Sequence, residues 1–234
     1  MIYPDITFAT FVERPNRFIA RVIPDGAAEA ITVHVKNTGR CRELLVPGCR
    51  VVLARGANPA RKTPFDLIAV YKVTPEHPEG WLFNIDSQAP NAVVGEWLAS
   101  FPPELAFSQV RPEFRFGASR VDFYLERDGR PHLLEVKGCT LEVNGVGYFP
   151  DAPTERGAKH LRELTAAVRD GYTCTVAFVI QMAGVTEVRP NIATDPAFAE
   201  DLAAARAAGV FVLPLACAVT PDSLRIATPA APWF

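Results

Sequence analysis

Asp122, Glu135 and Lys137 are the residues of this chain whose types and spacing could do chemistry. They lie in Ser119-Arg-Val-Asp-Phe-Tyr-Leu-Glu-Arg-Asp-Gly-Arg-Pro-His-Leu-Leu-Glu-Val-Lys137, which reads as two strands joined at Asp128-Gly129. Such a pair tolerates the positive φ of a tight hairpin turn. With those two residues as the loop, Val121, Phe123 and Leu125 share a mostly apolar face with Val136, Leu134 and His132. The other face sets Asp122 opposite Glu135 and Arg120 opposite Lys137. Like charges directly opposed destabilise a ladder, so this pairing makes sense if something positive sits between them. The spacing Asp-x12-Glu-x-Lys therefore points to a divalent-metal site with an attached lysine. Two carboxylates suit Mg²⁺ or Mn²⁺, hard ions that keep several waters and take further ligands from phosphate. The ion would acidify a bound water and polarise a phosphoryl oxygen, and Lys137 would orient that water or stabilise developing charge. A solvated hairpin face whose ion pairs merely screen one another is the competing reading, because such networks mimic active sites.

The elements that must position these residues fall into two parts, 1–83 and 84–234. The first reads as β-rich, with strands at Ile6-Val12, Arg17-Ile23, Ala30-Val35, Arg50-Ala54 and Phe65-Val73. Five short strands separated by turn signals predict a small OB-like β-barrel, a fold that binds nucleic acid. Two loops stand out: Asn37 to Gly48, read as a turn and a short basic helix carrying Arg40 and Arg42, and Asn58 to Pro64, displaying Arg61 and Lys62. Either could meet a phosphate backbone. In the second part, Asn91-Ala99 reads as a helix that sets Glu96 upstream of the hairpin. After a Gly-rich connection at 143–147, a helix runs from the N-cap Thr154 to Arg169, with Leu161, Leu164, Thr165 and Val168 inward and Arg156, Lys159, His160 and Glu163 off that stripe. Thr173-Gln181 is an apolar strand of the kind buried on both faces. A helix capped by Asp195-Pro196 and a strand at Val210-Leu215 complete a mixed sheet flanked by helices.

Composition bounds the partners. The chain has 234 residues, about half of them apolar, 21 prolines and a net charge of −2. Charge is uneven: Lys36 to Lys72 holds eight basic residues against Glu43 and Asp66, a local +6 that leaves −8 for the rest. A basic half beside an acidic half is expected when one module grips phosphates and another holds metal. Five cysteines, odd in number and without a CxxC pair, indicate a reducing compartment. No apolar stretch could span a bilayer and no leader pattern is visible, so a soluble cytoplasmic protein with no membrane partner is expected. His132 reads as a core or edge residue, and Trp81, Trp97 and Trp233 form no sugar-binding platform.

Asp122, then Glu135-x-Lys137 on the next strand, then a helix with basic residues resembles the PD-(D/E)XK nuclease layout. The chain as a whole resembles the sugar fermentation stimulation protein A family. The resemblance rests on Asn37-Thr-Gly-Arg40 with Glu43-Leu-Leu, Asn58-Pro with Arg61-Lys-Thr63, Gln88-x-Pro-Asn91, Ser119-Arg-Val-Asp-Phe123, Glu135-Val-Lys137, and Phe149-Pro-Asp-Ala-x-Thr-x-Arg-Gly-x-Lys-His160. It implies an OB-like barrel followed by a nuclease-like α/β domain, in a family described as DNA-binding and as regulating sugar-utilisation genes. Carried onto this chain, it implies that Asp122 and Glu135 hold Mg²⁺ or Mn²⁺ with the carbonyl of Val136, with Glu96 as a candidate upstream carboxylate. Lys137 would serve the attacking water. Arg120, Arg156, Lys159 and His160, with Arg40, Arg42, Arg61 and Lys62 of the barrel, would face nucleic acid, DNA first. Val121 replaces the proline of the superfamily name, Gly138-Cys139 stands where Asn-Val is expected, and Asp86-Ser87 where Asn-Thr is usual. Two functions follow: a metal-dependent phosphodiesterase, or a DNA-binding regulator on a nuclease-derived fold without catalysis. The intact Asp-Glu-Lys set favours the first, and the missing helix-turn-helix weakens the second.

Overall fold

The computed structural model describes residues 1–231 except Thr38, Ala57, Pro59 and Ala118. Thr38 and Pro59 of the loop motifs, and Trp233, thus lie outside the described residues. The first part is a β-barrel: β1 (Ile6–Asn16), β2 (Ile19–Pro24), β3 (Ile31–Val35), β4 (Arg50–Arg55) and β5 (Phe65–Lys72), ordered β3-β2-β1-β4-β5 and closed by parallel β3–β5 pairing. Its strands alternate in and out: Ala20, Val22, Val33, Val35, Val51 and Leu53 fill the interior. A sixth strand, β6 (Trp81–Asn84), adds to β5 and was not foreseen as a strand. The predicted basic helix after Arg40 is a turn: Cys41 takes φ +44° and Leu45 N–H returns to Cys41 O, while apolar Leu44 and Leu45 turn into the core.

The second part begins with α1 (Ala89–Ala99). Then come β7 (Gln109–Phe116), β8 (Ser119–Arg127), β9 (Arg130–Cys139), the small hairpin β10 (Leu141–Val143) and β11 (Val146–Phe149), and α2 (Glu155–Arg169). The chain finishes with β12 (Thr173–Ile180), β13 (Val188–Pro190), α3 (Pro196–Ala207), β14 (Phe211–Thr220) and β15 (Ser223–Ile226). The main sheet is ordered β15-β14-β12-β9-β8-β7; β9–β12 and β12–β14 are parallel, the other pairs antiparallel. One core lies under α1, with Val93, Val94, Phe123, Leu125 and Leu134. The other lies under α2 and α3, with Leu133, Leu161, Leu164, Val176 and Phe198. The Gly-rich connection is the turn of β10–β11: Asn144 and Gly145 take φ +52° and +79°, the geometry an Asn-Gly pair favours.

Barrel and sheet share a core, since Val33 and Phe83 belong to the same cluster as Cys139, Ile180 and Met182. A buried polar seam reinforces the join. Gln181 Nε2 donates to Asn84 Oδ1 (2.9 Å) and Asp86 O (3.0 Å), and Lys36 Nζ reaches Asp86 Oδ2 at 3.2 Å. Asp86 Oδ1 accepts from Gln88 N–H, so the seam also starts α1. Gly138 lets the helix come down on β9: a Cβ there would stand 2.9 Å from Pro90 Cγ.

His132 is fully buried as expected, with Nδ1 2.8 Å from Thr173 Oγ1, and burial and then the Arg127 charge push its pKa down to about 3. The folded chain thus keeps His132 neutral where the unfolded chain, near 6.5, takes up a proton. Stability contributed by the neutral ring is complete above pH 6.5 and lost as pH falls toward 3. Between pH 7 and pH 5 the wild type should lose about 2 kcal/mol more than His132→Leu, read from urea midpoints at both pH values.

Candidate active site

The turn at Asp128-Gly129 forms as the sequence indicates, with φ +52° and +71°. The β8–β9 ladder runs from Arg127↔Arg130 to Phe123↔Leu134 and stops one pair short of Asp122 and Glu135. Its end has a side-chain cause. Asp122 Oδ2 accepts the Val136 N–H at 2.7 Å, so a carboxylate substitutes for the backbone carbonyl that would continue the ladder. Beyond that point β8 stays with β7, and β9 stays with β12 through Ile180↔Cys139. The strands splay, which corrects two expectations. Arg120 does not face Lys137; it sits opposite Arg115 and pairs with Glu113 at 2.9 Å. Val121 leaves the face of Phe123 and joins the core of Leu133 and Leu161.

The gap is lined by Ser87, Gln88, Asn91, Glu113, Asp122, Glu135, Val136, Lys137, Arg156 and His160, a cleft of about 420 Å³. Asn91 Nδ2 on the first turn of α1 donates to Asp122 Oδ1 at 2.7 Å. Burial, and then the Glu135 charge, raise the Asp122 pKa above the usual carboxylate value. Glu135 is nearly fully buried, which pushes its own pKa up, but the His160 hydrogen bond and the Lys137 ammonium outweigh this and hold it low. Lys137 Nζ lies 2.6 Å from Glu135 Oε1, and His160 Nδ1 contacts the same oxygen. Arg156 Nε donates to His160 Nε2 at 3.4 Å, which makes Nε2 the acceptor and places the ring proton on Nδ1, toward Glu135.

His160 therefore points inward, not off the helix stripe as expected. Helical side chains lean toward the preceding turn, and residues 157, 160, 161 and 164 line one buried face. Thr154 caps α2 as predicted, its Oγ1 accepting from Gly157 N–H at 3.0 Å. Beside the carboxylate cleft, Ser119, Arg120, Glu155, Arg156, Lys159, His160 and Arg162 line a second hollow of about 550 Å³ that shares Arg156 and His160 with it. The acidic cleft thus continues into a basic groove.

Other expected site residues lie elsewhere. Glu96 is more than half exposed and bound by the Met1 nitrogen, five residues along α1 from Asn91 of the cleft. Asn91, and not Glu96, is the α1 residue that reaches Asp122. Arg40 and Arg42 line a hollow with Arg14 and Arg17 on the barrel. Arg14 donates there through its two terminal nitrogens to the carbonyls of Gly39, Arg40, Arg17 and Asn37. Lys62 is exposed. Arg61 forks onto buried Asp66 (Nη1–Oδ2 3.1 Å, Nη2–Oδ1 2.5 Å), which His34 and Lys36 also face. Its role here is to hold the barrel. Arg61→Ala should cost about 1–2 kcal/mol, read from the urea midpoint, because it removes charge-assisted bonds from a buried carboxylate.

Asn91, Gln88 and Glu113 were not foreseen as site residues. The Gln88-x-Pro-Asn91 motif is visible in the sequence, but its role depends on α1 docking; Glu113 lies on β7, where Val110, Pro112, Phe114 and Phe116 alternate with Arg111, Glu113 and Arg115, a period-2 signal that marks a strand but not which of its charged residues meets the cleft.

The residues present fit a divalent ion. Asp122 and Glu135 are hard oxygen donors on one cleft wall, and Asp122 carries an electrostatic penalty that a dication would relieve. Among the described residues no three His, Cys, Asp or Glu side chains close into a cage. Such a sparse donor set suits an ion that keeps waters and takes substrate oxygens, as Mg²⁺ does.

Fold and site together define an OB-like barrel joined to a mixed α/β sheet flanked by helices, with Asp122, Glu135 and Lys137 gathered in one cleft. The comparisons then give the family. Residues 12–77 match the SfsA N-terminal OB domain and residues 88–223 the sugar fermentation stimulation protein RE domain. The chain belongs to the SfsA, or sugar fermentation stimulation protein, family. It is 50% identical over 226 residues to a sugar fermentation stimulation protein homolog of Desulfitobacterium hafniense, covering 96% of this chain and 95% of that one. A homolog in Clostridium beijerinckii is 45% identical, with 97% and 96% covered. Among solved structures, Pyrococcus furiosus SfsA in complex with Ca²⁺ superposes with a TM-score of 0.80 at 25% identity, covering 97% of this chain and 95% of that one. No helix among the described residues is long and apolar enough to cross a membrane.

Proposed function

We propose that this chain is a divalent-metal-dependent phosphodiesterase acting on nucleic acid, DNA in the first instance. The observation that carries the reading is the like-charge pair Asp122 and Glu135, set at the wall of a cleft that opens into a basic groove. A protein that only binds DNA gains nothing from two opposed carboxylates in its groove. The Ca²⁺ held by the Pyrococcus furiosus relative supports a cation site in this fold.

Asp122 and Glu135, with the Val136 carbonyl, would hold Mg²⁺ or Mn²⁺. The ion, when bound, would acidify a water and polarise the phosphoryl oxygen. Asn91 and the Val136 N–H fix the Asp122 carboxylate from two sides. His160, locked between Arg156 and Glu135, holds Glu135 ionised and in place. Lys137 Nζ, the cation nearest both acids, orients the attacking water and offsets charge that develops on the phosphate. Arg156, Arg120 and Lys159 would receive the flanking phosphates, and the exposed Arg40 and Arg42 would extend the grip over the barrel.

The test is cleavage of end-labelled single- and double-stranded DNA and RNA with Mg²⁺ or Mn²⁺, with EDTA and Lys137→Ala as controls. Metal-dependent cutting that the variant lacks supports the reading and identifies the strand class. Equal retardation of DNA by both proteins with no cutting in any arm removes the enzyme and leaves a regulator that binds DNA.

A further inference from the structure

We propose that Glu113 is a third carboxylate of this site, paired with Arg120 in this structure and turned toward the divalent ion when a substrate phosphate draws Arg120 away. The inference rests on the phosphodiesterase reading and adds to it a coupling between phosphate binding and ion binding.

Glu113 lies at the level of Asp122. The β7–β8 pairs Pro112↔Phe123 and Phe114↔Val121 bracket the two residues, and neither is paired in the ladder between them. Glu113 also takes φ +53°, a left-handed conformation that a non-glycine strand residue seldom adopts. The cleft wall that holds Asp122, Glu135 and Lys137 includes Glu113. Its carboxylate is nonetheless turned to Arg120, with Nη1–Oε2 at 2.9 Å.

Arg120 belongs to the other hollow, lined also by Arg156 and Lys159. The Glu113–Arg120 pair therefore spans the boundary between the carboxylate cleft and the basic groove. Both side chains are more than half exposed (59% and 66%), and exposed pairs of this kind hold weakly. A phosphate diester offers Arg120 a competing bidentate partner. Once released, Glu113 faces a centre whose other two acids are already engaged: Asp122 by Asn91 and the Val136 N–H, Glu135 by Lys137 and His160. A dication there gains a carboxylate with no competing donor.

Mn²⁺ affinity, measured calorimetrically on the full chain, tests this without reference to turnover. The probes are Mn²⁺ alone and Mn²⁺ with a phosphorothioate oligonucleotide that resists hydrolysis. In the wild type the oligonucleotide should tighten Mn²⁺ about tenfold more than it does in Glu113→Gln, a coupling of ordinary size. Arg120→Ala, which frees Glu113 from the start, should bind Mn²⁺ alone several-fold tighter than the wild type. Circular dichroism melts confirm that each variant is folded. Equal oligonucleotide gains in wild type and Glu113→Gln, or unchanged Mn²⁺ affinity in Arg120→Ala, overturn the proposal. Asp122→Asn separates the two levels. If Mn²⁺ binding needs Asp122 but ignores Glu113 and Arg120, only this inference falls; if the wild type binds no Mn²⁺, the metal reading falls with it.

Discussion

Lys137→Ala is expected to slow metal-dependent cleavage by about 10²–10³-fold, the loss that follows removal of one preorganised charge stabiliser. Retention of nucleic acid should be nearly unaffected, because the flanking phosphates meet Arg120, Arg156 and Lys159 in the neighbouring hollow. The ammonium has a second task. It lies 2.6 Å from a Glu135 carboxylate that is 3% exposed, so its removal leaves a buried charge held by His160 alone. A stability loss of about 1–3 kcal/mol should accompany the kinetic one, seen as a lower urea midpoint at an unchanged slope. Lys137→Arg separates the two roles. The guanidinium keeps the positive charge and restores stability, yet its fixed planar fork cannot take the position of a compact ammonium, so single-turnover cleavage stays slow. Recovery of the rate in Lys137→Arg would show that charge alone suffices. Full activity in Lys137→Ala would remove this residue from the chemistry.

Asp122→Asn is expected to stabilise the protein while abolishing cleavage. Asp122 is half-buried beside ionised Glu135, and both effects raise its pKa. A carboxyl whose pKa is raised by folding lowers stability as pH rises through the interval between its unfolded and folded values. Above that interval the wild type carries that cost in full. Asparagine removes the charge and keeps the geometry: its Oδ1 still accepts the Val136 N–H, and its Nδ2 can donate to Asn91 once that amide turns over. The gain should be about 0.5–2 kcal/mol, the range seen when a destabilising functional group is neutralised. The wild type should approach the variant's midpoint as Mg²⁺ or Mn²⁺ is added, since an ion that binds only the folded state stabilises it by mass action. Asp122→Asn should show no such rise. A less stable Asp122→Asn would mean that Asp122 serves the fold and not the ion.

Local rules carried much of this molecule. The five barrel strands, the Asp128-Gly129 turn, the caps at Thr154 and Asp195, and the buried strand at Thr173–Ile180 all depend on residues within a few positions of one another. Such signals survive in the chain because turn chemistry, capping and period-2 alternation need no distant partner. The placing of Asp122 and Glu135 one step beyond the last hairpin pair, Phe123↔Leu134, was legible for the same reason, since a two-residue turn fixes the register of its hairpin.

What the hairpin does at its open end was not legible. The ladder stops because Asp122 claims the Val136 N–H, and that claim holds because β12 fixes β9 while β7 fixes β8, each on its far edge. Helix docking chose Asn91 over Glu96 and turned His160 onto Glu135. Barrel packing set Arg61 on Asp66. Sequence by itself determined the family, the two-part fold and the Asp-Glu-Lys constellation, because these are written in local spacing and ordered motifs. Only the tertiary structure decided which further side chains complete the site, because those contacts join residues dozens of positions apart and depend on how whole elements pack.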